Sequence, residues 1–169
     1  MSALELSKKY KSLLDKNGIS TPLRLAHFFA QIDHESGGFK HLREIGNDAY
    51  FVKYEGRASL GNTQKGDGLK YKGRGFIQIT GRANYTELTK ATGIDYVNNP
   101  QWLEREPDAM ISALWFWNRN KLNKYADLDR IDSISDLINK GKITPAYGDS
   151  NGFMDRANKL KFYKTVFKV

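Results

Sequence analysis

The sequence predicts a mainly α single domain spanning residues 1–169, with a glycine-rich middle suited to walling a cleft. Three observations carry this. Apolar residues recur at helical spacing through several capped segments. Glycines crowd residues 56–75 between two such segments. The chain also holds no repeat, low-complexity tract or Pro/Ser-rich linker to divide it.

The elements follow in order. Residues 2–16 read as a first helix on the stripe Leu4, Leu6, Tyr10, Leu13 and Leu14, stopped by Asn17-Gly18. Thr21-Pro22 offers an N-cap and a first-turn proline for a second helix through Leu23, Leu25, Ala26, Phe28, Phe29 and Ile32, ended by Gly37-Gly38. Its apolar residues run nearly all the way round, so it belongs in the core. Phe76 to Thr80 reads as a short strand or the entry to a helix. Helical pattern resumes near Asn84 and stops before Gly93, and a turn surrounds Asn98-Asn99-Pro100. Pro107 opens the apolar core helix Ala109 to Trp117. Two last helices are expected at about 133–140, capped by Asp132 or Ser133, and 150–168, capped by Asp149 or Ser150.

Composition narrows the function classes. An apolar fraction of 40% in 169 residues supports a self-sufficient core. No run approaches the roughly 20 apolar residues of a membrane helix, so stable membrane insertion is not expected. The N-terminus lacks the charged start, apolar stretch and cleavage site of a secretory signal. The expected location is therefore a cytoplasm, with any action beyond it requiring a separate release step. With no cysteine there are no disulfides, thiolate nucleophiles or cysteine-ligated metals. A net charge of +8 favours polyanionic partners. No basic–aromatic cluster resembles a nucleic-acid platform, so no nucleic-acid partner is expected. His27, His34 and His41 are spaced by seven, but the Gly37-Gly38 break separates them, and no metal site is expected. Trp115 and Trp117 read as core, and the lysine-rich segment 156–169 as a packed helix with a solvated face.

Chemistry concentrates in His34-Glu35-Ser36-Gly37-Gly38-Phe39. Glu35 sits in the last turn of an apolar helix, where Phe28, Phe29 and Ile32 are expected to raise its pKa. A carboxyl kept protonated beside a glycine turn suits protonation of a glycosidic oxygen. Such chemistry needs a second carboxylate. Glu44, nine positions on, follows the turn, with Asp33, Asp48, Glu55 and Asp67 as competitors that spacing does not rank. In the run Tyr71 to Tyr85, Gln78, Thr80 and Asn84 offer amides and a hydroxyl, and Tyr71 and Tyr85 aromatic rings, all suited to sugars. Gly73-Arg74-Gly75 lacks the spacing of a phosphate loop.

Together with Tyr54-Glu55-Gly56-Arg57, Leu60-Gly61-Asn62, Gly66-Asp67-Gly68 and Gly73 to Tyr85, the Glu35 motif resembles glycoside hydrolase family 19. That family contains chitinases and phage endolysins. The resemblance implies a lysozyme-like fold with a substrate cleft between two helical lobes and a small β/loop element. It also implies inversion at the anomeric carbon without metal or cofactor. Residue by residue, it makes Glu35 the general acid, and Glu44 the general base of the short-loop, endolysin-like members. The plant-type spacing would favour Glu55. Thr80 helps to hold the attacking water. Gln78, Asn84 and Tyr85 line sugar subsites, with His34, Tyr71, Asn139 and Arg156 completing the expected sugar-contacting set. Asn139 is followed by Lys140-Gly141 in place of the usual double glycine.

Three functions follow from this reading. The first is an endolysin cutting peptidoglycan glycan strands, monomeric and dependent on a separate holin for access to the wall. The second is a chitinase on N-acetylglucosamine polymers. The third is a non-catalytic wall-binding module. The missing signal, the missing cysteines and the positive charge favour the first.

Overall fold

The computed structural model describes residues 1–169 and is mainly helical, as expected. Ten α-helices follow in order: α1 (Ala3–Lys9), α2 (Lys11–Lys16), α3 (Pro22–Ser36), α4 (Asp48–Phe51), α5 (Asp67–Lys70), α6 (Arg82–Thr92), α7 (Asp108–Arg119), α8 (Leu122–Asp127), α9 (Ile131–Lys140) and α10 (Phe153–Val166). They fall into two compact units, residues 1–39 with 117–169, and residues 40–116. The chain passes from the second unit to the first within α7.

The first unit is organised on α3. Thr21 accepts a hydrogen bond from the Arg24 amide, Pro22 takes the first turn, and Gly37 closes the helix in the left-handed conformation at φ 57°. Ala26, Phe28, Phe29, Ala30 and Ile32 have no exposed surface. Phe28 stacks edge-on against Trp117 at 5.3 Å and against Phe29 at 5.4 Å. Each such ring contributes roughly 1.5–3 kcal/mol by burial. α10 lies along α3, and α8 and α9 complete the layer. The α10 lysines support a packed helix: Lys159 pairs with Asp155 and Asp33, and Lys164 with Asp129.

Local details correct three expectations in this unit. The first helix is two, broken at Tyr10, whose ψ of 18° departs from helical values. α9 starts at Ile131 with no side-chain cap. Asp132 instead accepts from the Gly148 amide at 2.7 Å. α10 starts after Gly152, at φ 69°, because Asp149 is drawn to Lys140 at 2.5 Å and Ser150 is buried.

The second unit buries Tyr71, Tyr85, Leu88, Tyr96 and Leu103, and α7 contributes Ala109, Met110 and Ala113 to its buried residues. Neither the short strand nor the helix entry read at 76–80 forms, since α6 begins only at Arg82. Gly75 at φ 82° and Gln78 at φ 60° turn the chain back, so that Arg74 and Ile79 exchange backbone hydrogen bonds at 2.9 and 3.1 Å. The β element is reduced to isolated antiparallel bridges, Arg43 with Arg74 and Arg74 with Ile79. No helix is long and apolar enough to cross a membrane.

Candidate active site

Glu35 is placed by α3 and held by α10. Its Oε1 pairs with Arg156 Nη2 at 2.8 Å, with the glutamate side chain 17% exposed and the arginine 2%. Arg156 uses the rest of its fork on protein: Nη1 donates to Gln31 Oε1 at 2.7 Å and Nε to the Asn151 carbonyl at 3.0 Å. Gln31, buried on α3, donates in turn to Ser135 of α9 at 3.2 Å. Asn139 Oδ1 accepts from the Asn151 amide at 2.9 Å and so fixes the carbonyl that Arg156 grips. A guanidinium forked over two acceptors has far less freedom than a point charge. Arg156 therefore sets the orientation of the Glu35 carboxylate.

This arrangement revises two expectations. Phe28, Phe29 and Ile32 are buried as anticipated, but the partner of the Glu35 carboxylate is a guanidinium rather than an apolar wall. Arg156 has no surface to offer a sugar, and it acts on Glu35 instead. His34, next along α3, bonds through Nδ1 to Asp155 Oδ2 at 2.6 Å. Its ring lies where a side chain on residue 152 would start, 2.2 Å from the Cβ that Gly152 lacks. Asp33 bonds to the Tyr163 hydroxyl and to Lys159 at 3.6 Å, so it is engaged elsewhere.

Glu44 is placed by the second unit. Leu42 and Glu44 bracket the bridge at Arg43: the Glu44 amide donates to the Gly73 carbonyl at 2.8 Å, and the Gly75 amide to the Leu42 carbonyl at 2.9 Å. Gly73 lacks the side chain that would fill the space above it. A Cβ there would lie 2.8 Å from Glu44 Oε1, 2.8 Å from Gln78 Oε1 and 3.3 Å from Thr80 Oγ1. Three of the expected site residues thus converge on one bare Cα. The Tyr54 hydroxyl lies 3.1 and 2.9 Å from the two Glu44 oxygens, so it donates to the carboxylate. Burial, and after it the bond to Glu44, push the Tyr54 phenol upward, so it stays a donor. Thr80 donates to the Gln78 carbonyl at 3.0 Å, which leaves its oxygen as an acceptor.

The competing carboxylates have other work. Glu55 accepts from the amides of Gly66 at 3.0 Å and Gly68 at 3.4 Å, at the start of α5. Asp67 is buried in an ion pair with Arg82 at 2.8 Å, and its carboxyl is held low chiefly by that bond. Asp48 is exposed in the first turn of α4.

Two aromatic expectations are overturned. Tyr71 and Tyr85 have no exposed surface and pack on each other at 5.0 Å. Their hydroxyls donate to the Val97 and Lys72 carbonyls. They are core posts under the loop rather than sugar platforms. Asn84 spends its amide on the Thr80 carbonyl at 2.9 Å. Tyr54 and Gln31 were not singled out from the sequence as site residues. Tyr54 stands beside Glu55 in the quoted motif, whereas Gln31 carried no signal beyond being a polar residue in an apolar helix.

Known proteins resemble this chain in sequence and in fold. The family profile of glycoside hydrolase family 19, chitinase class I, matches residues 15–151. A Haemophilus influenzae protein described as a glycosyl hydrolase family 19 domain-containing protein is 32% identical over 157 residues, covering 76% of each chain. The pea endochitinase is 31% identical over 172 residues, covering 86% of this chain and 53% of its own. This chain thus spans only about half of that plant relative, and 39% of an Arabidopsis endochitinase that it also matches. Among solved structures, chitinase C from Streptomyces griseus superposes with a TM-score of 0.68 at 25% identity, over 88% of this chain and 60% of that one.

Proposed function

The chain belongs to glycoside hydrolase family 19, and from that premise we propose that it hydrolyses the glycan strands of bacterial peptidoglycan, with Glu35 as general acid and Glu44 as general base. The observation that carries the assignment of the base is the convergence of Glu44, Gln78 and Thr80 over Gly73. A carboxylate and a hydroxyl acceptor facing one small space are what a nucleophilic water needs. In this reading the water donates one proton to Glu44 and the other to Thr80 Oγ1. Tyr54 holds the carboxylate in place while it takes up the proton.

Glu35 gives its proton to the glycosidic oxygen as the C1–O bond breaks. Arg156 fixes Oε1, and in this reading Oε2 carries the proton that is transferred. The water attacks C1 from the opposite side, so the configuration inverts and no enzyme-bound sugar forms. General acid assistance is worth about 10²–10⁴ in rate.

The preference for peptidoglycan rests on charge. A protein of net charge +8 gains nothing from a neutral polymer and is drawn to an anionic one. The biological role proposed is host-cell lysis by a monomer that reaches the wall through a separate holin. The second reading is chitin hydrolysis, favoured by the names of the plant and Streptomyces relatives. Mass analysis of products from purified peptidoglycan, beside a chitin hexamer, decides between them. Muropeptide-bearing disaccharides at a higher rate than chitin fragments support the first, and the reverse supports the second. Proton NMR of the nascent reducing end should show the α-anomer from a β-linkage.

A further inference from the structure

A cavity of about 590 Å³ opens in the second unit, lined by Lys40, His41, Arg43, Glu44, Ile45 and Glu104 among others. Its charges are not balanced pairwise. Glu104 is already neutralised by Arg74, 2.8 Å away and buried. Glu44 is held by the neutral Tyr54 and belongs to the proposed chemistry. Lys40 and Arg43 are exposed and join no ion pair. The local excess of positive charge is felt nearby. The Lys72 ammonium is lowered first by burial and then by Arg74 and Arg43, against a smaller opposing effect of Asp48 and Glu104. Ile45, 69% exposed, adds an apolar surface at the same rim.

We propose that this cavity selects the substrate by binding a carboxylate-bearing substituent of the glycan, with Arg43 and Lys40 as the recognising cations and Ile45 as the contact for an adjoining methyl group. The inference rests on the reading of Glu44 as the base, since it places the cavity beside the scissile sugar. A chitin chain offers only hydroxyl and acetamido groups and leaves both cations unmatched. A muramyl sugar carries a lactyl ether whose carbonyl end is a free carboxylate, or is amide-linked to a peptide bearing carboxylates of its own. Guanidinium and carboxylate match as a two-pronged pair. A volume in the range of small-ligand pockets has room for such a substituent. Long-range attraction by +8 of net charge would act equally through any surface lysine, whereas this site would not.

The test compares the intact chain with the double variant Lys40→Gln/Arg43→Gln and with the control Lys8→Gln/Lys16→Gln, which removes the same charge from exposed positions of α1 and α2. Each is assayed for kcat/KM on three substrates: peptidoglycan, amidase-stripped strands that retain the lactyl carboxylate, and a chitin hexamer. Thermal unfolding confirms that all three fold. The expected result is a loss of about tenfold on peptidoglycan for the cavity variant, equal to 1.4 kcal/mol of binding. Change on chitin should stay within twofold, and the control should remain near wild type. Loss on stripped strands as well assigns the carboxylate to the lactyl group. Loss on peptidoglycan alone assigns it to the peptide. Equal losses on chitin and peptidoglycan, an equal loss in the control, or no loss at all would each overturn the proposal. Calorimetric binding of a muramyl peptide and of a chitin oligomer to the same proteins gives a readout independent of turnover. If wild type cleaves no glycan, the reading of Glu44 fails, while loss of muramyl-peptide binding in the cavity variant still decides the cavity.

Discussion

The two carboxylates assigned to catalysis are held by opposite physical means. Glu35 rides the fifteen-residue helix α3 and is gripped by a buried guanidinium whose three nitrogens each have a protein partner. Glu44 sits on a loop bridged by isolated backbone pairs, and a neutral phenol and a missing side chain shape its surroundings. A buried guanidinium is an energetic commitment of the core, whereas a glycine vacancy is a steric one. Removing the guanidinium should therefore appear in stability and activity together. Filling the vacancy should appear in activity almost alone.

The largest effect tests the acid without disturbing the core. Glu35→Gln keeps an oxygen acceptor for Arg156, so its melting temperature should stay within a few degrees while turnover falls by at least ~10²-fold. Near-normal turnover in that folded variant would remove Glu35 from the mechanism. Arg156→Ala attacks the same place from the other side. It strands the partly buried Glu35 charge and the Gln31 carbonyl, which should cost about 3–5 kcal/mol in chemical denaturation besides abolishing activity. A stability within 1 kcal/mol of wild type would show that the pair is incidental.

Gly73→Ala should show the contrasting behaviour. Gly73 does not occupy the left-handed region, and the added methyl meets the movable ends of Glu44 and Gln78 rather than backbone. The protein should fold with little change in melting temperature yet lose roughly tenfold in kcat, an Å-scale misplacement of a catalytic group being worth up to ~10². An equal fall in stability would show that Gly73 serves the fold as much as the site. Glu55→Gln should be milder again in activity, within about twofold, because that carboxylate serves the start of α5. A loss as large as that of Glu44→Gln would transfer the role of base to it.

The smallest effect is a pH dependence of stability in the first unit. His27 is fully buried, and its imidazole is held below the ordinary value chiefly by desolvation, against the bond from Nε2 to Asp129 at 2.7 Å. The folded protein therefore prefers the neutral ring more than the unfolded chain does. The resulting stability is fully present above the unfolded value of about 6.5 and is lost as pH falls through the lower folded value. Melting temperature should decline from pH 7 toward pH 5, with a shallower decline in a folded His27→Gln variant. The lowered Asp129 and Asp67 carboxyls would add their losses only at more acid pH.

Legibility in the sequence varied with the range of the interactions involved. The α3 boundaries at Thr21-Pro22 and Gly37 were readable because capping acts over three or four residues. α4, α5 and α8 were not, since four to six residues are too few to display a helical period. Both the strand and the helix entry read at 76–80 are broken by Gln78, which takes a left-handed conformation that nothing in its own side chain demands. Tyr71 and Tyr85 read as sugar platforms but are buried, because an aromatic flanking amides looks alike in sequence whether its ring faces a substrate or a core.

From the sequence alone come the helical class, the family motifs, and the candidacy of Glu35, Glu44, Gln78 and Thr80 for the proposed chemistry. These are matters of residue type and short-range order. Only the tertiary structure decided which groups hold them. Arg156 meets Gln31 across 125 positions, Tyr54 reaches back ten to Glu44, and Gly73 lies under side chains drawn from two separate segments, one with Glu44 and one with Gln78 and Thr80. Such partnerships are set by where the chain closes on itself, through burial and packing that no local pattern records.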